Sequence, residues 1–332
     1  MKNSLQQFIA EHRQPLETAL AEALPLSQQP HARRLNEALH YALFPGGKRW
    51  RPVLTLIGAR LCGGTFAAAL PAACAMEFLH TSSIIVDDLP AMDDAETRRN
   101  RAALHRAHGE DVATLAALAL MNSAYALLAS GARANGQLAS GLSLIEDATR
   151  CIGSDGMIGG QMVDLELKDS AQGFAALTSR NLKTTALLEL TMTAGARSLG
   201  ASDDDLAALR EYGAALGMAY QICDDLLDEF GEAQQTGKPA RQDARHTRAS
   251  FVSELGHAQA HAQAHDWVAT ASHAVRHQFG ERPEVEWLIE AATQIVSCVS
   301  LPPPAAVAVA TSPAPRVRKN LANAEALRLA LV

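Results

Sequence analysis

Apolar residues recur every three to four positions through most of this chain. That spacing predicts helices over about residues 3–25, 31–44, 49–62, 67–88, 109–131, 137–152, 172–199, 203–230, 249–278 and 283–298. Between them lie breaks at Pro45-Gly46-Gly47, Gly63-Gly64, Gly153 to Gly160 and Gly231 to Pro239, where the chain turns. No strand series and no internal repeat is evident, so the expected fold class is all-α. Past Ser300 the periodicity fails, because Leu301-Pro302-Pro303-Pro304 and Ser312-Pro313-Ala314-Pro315 cannot continue a helix. The chain therefore divides into a helical domain over 1–300 and a Pro/Ala-rich linker and tail over 301–332.

The uncharged run from Val112 to Ala132 is as long as a membrane span. It is Ala-rich and carries Thr114, Asn122 and Ser123, so it reads as a buried bundle helix, and no membrane span is expected. Composition agrees: aromatics are only 5% of the 332 residues, and the glycines and prolines fall mostly between the helical stretches. A net charge of −7 argues against nucleic-acid binding. The five cysteines are odd in number and widely spaced without a CxxC pair, so neither a disulfide framework nor a zinc site is suggested and a reducing cytoplasm fits. The first residues contain no apolar signal segment.

Two acidic clusters interrupt the apolar pattern. In Gln221-Ile222-Cys223-Asp224-Asp225-Leu226-Leu227-Asp228 the helical period puts Asp224 and Asp228 one turn apart on one face, where they can share a metal. The other cluster, Asp87-Asp88-Leu89-Pro90-Ala91-Met92-Asp93, ends an apolar helix at Pro90, and the break allows Asp87 and Asp93 to approach one ion. Oxygen donors of this kind suit Mg²⁺ completed by substrate phosphates. Acids alone would repel a diphosphate, and Gly46-Gly47-Lys48-Arg49-Trp50-Arg51-Pro52, Arg98-Arg99, Lys183-Thr184 and Lys238 supply cationic donors.

These stretches, with His105 to Glu110 and Gly160 to Leu165, stand in the order found in trans-isoprenyl diphosphate synthases of the polyprenyl synthetase family, which the chain resembles over roughly residues 40–256. The resemblance implies a single large helical bundle around a deep central cavity, a homodimer, and condensation of isopentenyl diphosphate with an allylic diphosphate. It implies three magnesium ions per site, with Asp87, Asp88, Asp93, Asp224 and Asp228 as ligands and Asp225 among the catalytic acids. Arg98, Lys183 and Lys238 are expected on the allylic diphosphate. Gly47, Lys48, Arg51, His80 and Arg99 are expected at isopentenyl diphosphate, Thr184 and Gln221 beside the reacting carbons, and Arg248 at a diphosphate.

Some positions depart from the family pattern: Asn100 replaces a glycine, Ala102-Ala103 a Pro-Thr, and Arg248 a lysine. Asp203-Asp204-Asp205 after Ser202 reads as a helix N-terminus rather than a third metal cluster. His257, His261 and His265 recur on one helix face and read as solvated. The small Ser82 and Ser83 precede Asp87 by five and four residues and, with Ala117-Leu118 in the following helix, resemble bacterial geranylgeranyl synthases. A C20 product is thus expected. A C15 farnesyl synthase, a non-catalytic partner subunit of a heteromeric synthase and a terpene cyclase remain as alternatives.

Overall fold

A computed structural model describes residues 4–166, 177–179, 181–230 and 250–297. Its first helices are α1 (Leu5–Ala23), α2 (Arg33–Leu43), α3 (Trp50–Leu61) and α4 (Phe66–Asp87). A two-stranded hairpin, β1 (Thr97–Arg98) and β2 (Arg101–Ala102), leads into α5 (Leu104–His108). Then follow α6 (Glu110–Ala134), α7 (Leu138–Ile152), α8 (Met157–Glu166), α9 (Leu182–Arg197), α10 (Asp203–Phe230), α11 (Phe251–Leu255), α12 (His257–Phe279) and α13 (Pro283–Ser297).

Side-chain caps fix several helix starts by satisfying amides that have no helical acceptor. Ser4 accepts from the Gln7 amide and Thr65 from the Ala68 amide, while Ser250 and Ser253 cap α11 reciprocally. Ser202 Oγ accepts from the Asp205 amide at 3.2 Å, which places the Asp203-Asp204-Asp205 run at the start of α10. The His257 ring stacks on His261, His265 lies tilted against His261, and among the described residues no group of three or more His, Cys, Asp or Glu could hold a metal ion.

Helix α4 organises the core. It is apolar nearly all round and therefore buried, packed against α3, α6 and α9. Helix α9 in turn packs on α3 and α10, and α10 on α12. Free Cys74, Cys151 and Cys223 lie inside, and burial raises the thiols of Cys74 and Cys151 to about 12 and about 11.

Three expectations need correction. Gly153 to Gly160 is not wholly a break, since Met157 already begins α8. The helix expected over 249–278 divides at Gly256 into α11 and α12. The run Val112 to Ala132 is only half a core helix: α6 buries Ala113, Ala116, Ala117, Leu120 and Ala124 but leaves Leu115 and Leu118 more than half exposed. By length and composition α4 and α6 could each cross a membrane, yet 72% of the α4 stretch is buried inside the protein, against 39% for α6.

Candidate functional site

Helix α4 ends at Asp87, three residues before Pro90, whose ring supplies no amide hydrogen. The chain then folds back on itself. The Met92 amide donates to Leu89 O at 2.9 Å, the Asp93 amide to Asp87 O at 3.0 Å, and the Ala95 amide to Asp88 O at 3.2 Å. This closed loop returns the Asp93 backbone to that of Asp87.

The side chains of Asp87 and Asp88 face different partners. Asp87 Oδ1 accepts from Lys183 Nζ at 2.6 Å and from Gln161 Nε2 at 3.2 Å. Asp88, almost fully buried, is gripped by Arg98: Nη2 donates to Oδ1 at 2.5 Å, and Nε reaches both carboxylate oxygens. Burial lowers the Arg98 pKa, but the hydrogen bonds and charge of Asp88, with Asp87 and Asp93 nearby, reverse this and raise it overall.

Lys183 and Gln161 reach Asp87 because α8 lies tightly on the start of α9. A Cβ at Gly160 would come within 2.2 Å of the Lys183 backbone nitrogen, so only glycine fits this crossing. The next residue, Thr184, looks the other way and donates from Oγ1 to Gln221 Oε1 at 3.4 Å. Gln221 precedes Asp224 by one turn of α10. The N-terminus of α9 thus stands between the two acidic clusters, with Asp87 on one side and the Gln221 to Asp228 turn on the other.

Asp224 and Asp228 are half-buried and one turn apart. Asp225, grouped with the catalytic acids on the sequence, is placed otherwise. It is 2% exposed, accepting from Gln221 Nε2 at 2.9 Å and from the Phe251 amide at 2.7 Å, and so ties α10 to α11. A helical period rotates Asp225 about 100° from Asp224, so the adjacent acids leave α10 in different directions.

Cations gather at the junction of α3 and α4. Arg51 Nη1 lies 3.1 Å from His80 Nε2, and both residues are buried. Burial first, then Arg51, Arg99, Arg98 and Arg49, push the His80 pKa well below its ordinary value. His80 is therefore neutral, with Nε2 accepting from Arg51 and the ring proton on Nδ1. Burial also lowers Arg51 to about 10, and burial with Arg49 and Arg98 lowers Arg99. Half-buried Lys48 sits in the loop between α2 and α3.

Arg49, counted among the cationic donors on the sequence, is withdrawn into the protein. Its guanidinium donates to Glu77 Oε1 at 2.6 Å, to both Glu17 oxygens at 3.0 and 2.9 Å, and to Leu43 O at 2.8 Å. Arg13 donates to Gly47 O at 2.9 Å. Helix α1 thus holds the loop that carries Gly47 and Lys48, a function without any signal in the sequence. Gln161 was visible as part of a motif, but nothing in the spacing revealed its contact with Asp87. Lys238 and Arg248 lie outside the described residues.

Ser82 is fully buried, and its Oγ donates to Ala117 O at 2.9 Å, so the two positions singled out for product length touch across the α4–α6 seam. Ser83 Oγ donates to His80 O at 2.8 Å. The acids of both clusters are hard oxygen donors of the type Mg²⁺ takes.

The polyprenyl synthetase family profile matches residues 32–291. The chain is 35% identical over 257 residues to a dimethylallyltranstransferase of Fischerella ambigua, covering 76% of this chain and 72% of that one. It is 36% identical over 253 residues to a farnesyl diphosphate synthase of Geobacillus stearothermophilus, covering 76% and 84%. A plastid relative, the large subunit of a heterodimeric geranylgeranyl pyrophosphate synthase of Arabidopsis thaliana, is 37% identical over 72% of this chain but only 65% of its own length. Among solved structures, an FPP/GFPP synthase from Zymomonas mobilis superposes with a TM-score of 0.77 at 32% identity, over 89% of this chain and all of that one. With two acidic clusters facing one helix start and this similarity along most of its length, the chain belongs to the polyprenyl synthetase family.

Proposed function

We propose that this enzyme condenses isopentenyl diphosphate with allylic diphosphates to make geranylgeranyl diphosphate, the C20 product. Short-chain trans-prenyl transfer is the activity of the farnesyl and geranylgeranyl synthases it resembles. The observation that supports the reading is the pair of contacts from adjacent residues, Lys183 to Asp87 and Thr184 to Gln221, which brings Asp87 and the residue one turn before Asp224 to one helix start.

In this reading Asp87, Asp93, Asp224 and Asp228 hold magnesium, three ions in all, with Asp88 acting through Arg98. The ions, when bound, offset the negative charge that grows on the leaving diphosphate. Arg98 and Lys183, with Lys238 beside them, bind and orient the allylic diphosphate by charge-assisted hydrogen bonds. Lys48, Arg51 and Arg99 hold the diphosphate of isopentenyl diphosphate. Neutral His80 fixes the Arg51 guanidinium rather than adding charge of its own. Thr184 and Gln221 flank the reacting carbons, and the apolar walls of α4 and α9 exclude the water that would quench an allylic cation.

The C20 assignment rests on small Ser82 and Ser83 below Asp87 and on Ala117 opposite. Incubating the purified chain with Mg²⁺, isopentenyl diphosphate and each allylic primer tests it: geranylgeranyl diphosphate should dominate the chromatogram. A product that stops at C15 would refute the length assignment, and no condensation with any primer would refute the reading as a whole. Fully buried Phe78, one turn below Ser82, is the residue that would form a C15 floor.

A homodimer completes the proposal. Leu115 and Leu118 of α6, Leu138 and Leu142 of α7, and Ile158 and Met162 of α8 are each more than half exposed. A second copy would cover this apolar surface. Sedimentation of Leu118→Glu/Leu142→Glu as a monomer, against a dimer for the parent, is the expected result. A cytosolic location accompanies this reading, in keeping with the free interior thiols.

A further inference from the structure

The two arginines assigned to the two diphosphates are neighbours on one small hairpin. Strands β1 and β2 pair antiparallel, Thr97 opposite Ala102 and Arg98 opposite Arg101. The two connecting residues, Arg99 and Asn100, have φ of 53° and 60°, and a type I′ turn requires positive φ at both positions. Asparagine enters this region readily, so Asn100 suits the position. Arginine does not, and its backbone must be held there by what surrounds it.

The hold comes from α2. Arg101 Nη1 donates to Phe44 O at 2.8 Å, and its guanidinium lies 3.7 Å from the centre of the Tyr41 ring. Tyr41 Oη donates to Ala102 O at 3.0 Å. Phe44 leads directly into the Gly46-Gly47-Lys48 loop, and the Arg99 guanidinium rests against that loop, since a Cβ at Gly47 would stand 3.3 Å from Arg99 Cζ. Arg101 therefore bonds to the base of the loop on which Arg99 lies, while Arg98, its strand partner, is bound to Asp88.

We propose that Tyr41 and Arg101 are positioning residues: they clamp the Arg98–Arg99 hairpin over the Gly46-Gly47-Lys48 loop and so register the grips on both substrate diphosphates. The proposal rests on the assignment of Arg98 to the allylic substrate and Arg99 to isopentenyl diphosphate. A planar guanidinium is needed for the stack and the directed bond, and a lysine ammonium would supply charge alone.

Steady-state kinetics of Arg101→Gln, Arg101→Lys and Tyr41→Phe, each alone and combined with Arg99→Gln, tests it. Arg101→Gln should raise KM for both substrates roughly ten-fold with a smaller change in kcat, because misplaced binding groups lose contact energy steeply. Arg101→Lys should not restore either KM, Tyr41→Phe should shift both in the same direction by less, and thermal melting of the substrate-free variants should match the parent. In the Arg99→Gln background, Arg101→Gln should add less than about two-fold to KM for isopentenyl diphosphate, since residues acting through one another are not additive. Full multiplicativity of the two substitutions, full rescue by lysine, or unchanged KM values in Arg101→Gln would overturn the clamp while leaving the site assignment intact. If Arg99→Gln itself leaves KM for isopentenyl diphosphate unchanged, both fall together.

Discussion

Lys183 Nζ and Asp87 Oδ1 stand 2.6 Å apart, so the cation assigned to the diphosphate and the first acid assigned to magnesium already face one another. Lys183→Met leaves Asp87 without that partner and removes a donor from the developing charge. A fall in kcat of roughly 10²–10³ is expected, the cost of losing one such donor. Single-turnover kinetics checks it, and an unaltered chemical step would remove Lys183 from the site.

Arg49 and Glu77 form a second, wholly interior ion pair at 2.6 Å, in which Arg49 remains charged despite burial. Truncating one partner of such a pair leaves a buried charge uncompensated, which typically costs about 3–5 kcal/mol. Glu17 still binds the guanidinium, so urea denaturation of Glu77→Ala should give the lower end of that range. Because the pair holds the loop bearing Lys48, KM for isopentenyl diphosphate should rise more than KM for the allylic substrate.

His80 gives a pH signature. An unfolded histidine takes up a proton near pH 6.5, whereas folded His80 does so only well below it, because of burial and the surrounding arginines. Between those two values the unfolded chain binds more protons. Stability is therefore complete above about pH 6.5 and falls as pH drops toward the folded pKa, by ~1.4 kcal/mol per pH unit from this group. His80→Gln should flatten the slope of unfolding free energy between pH 6.5 and 5.5, and an unchanged slope would show that His80 titrates normally.

Ser82 offers a separation of stability from specificity. Ser82→Ala loses only the bond to Ala117 O and should destabilise by about 1 kcal/mol with the product unchanged. Ser82→Phe places a ring at the α4–α6 seam and should move the product from C20 toward C15. An unchanged chromatogram for the phenylalanine variant would exclude this turn as a determinant of length.

Most of the helices, and the turn that follows α4, were legible in the sequence because they rest on local rules. Pro90 announces the end of α4, and the i, i+4 spacing of Asp224 and Asp228 announces a shared face. What escaped depends on distant partners. Asp225 is buried against the start of α11 through the Phe251 amide, 26 residues away, and the burial of Arg49 is decided by Glu77, 28 residues away, and Glu17, 32 residues away. The hairpin escaped because two residues per strand give no alternation to read.

The most direct test of the central claim, that the two acidic clusters act together around the start of α9, is transfer of label from isopentenyl diphosphate into prenyl product by Asp87→Asn, Asp224→Asn and Asp225→Asn. Each of the first two should lose activity by roughly 10³ while remaining folded, the scale of losing charge stabilisation at the reacting group. Asp225→Asn should retain activity per folded molecule and lose stability instead. Activity surviving in Asp87→Asn or Asp224→Asn, or a loss in folded Asp225→Asn equal to theirs, would contradict the account.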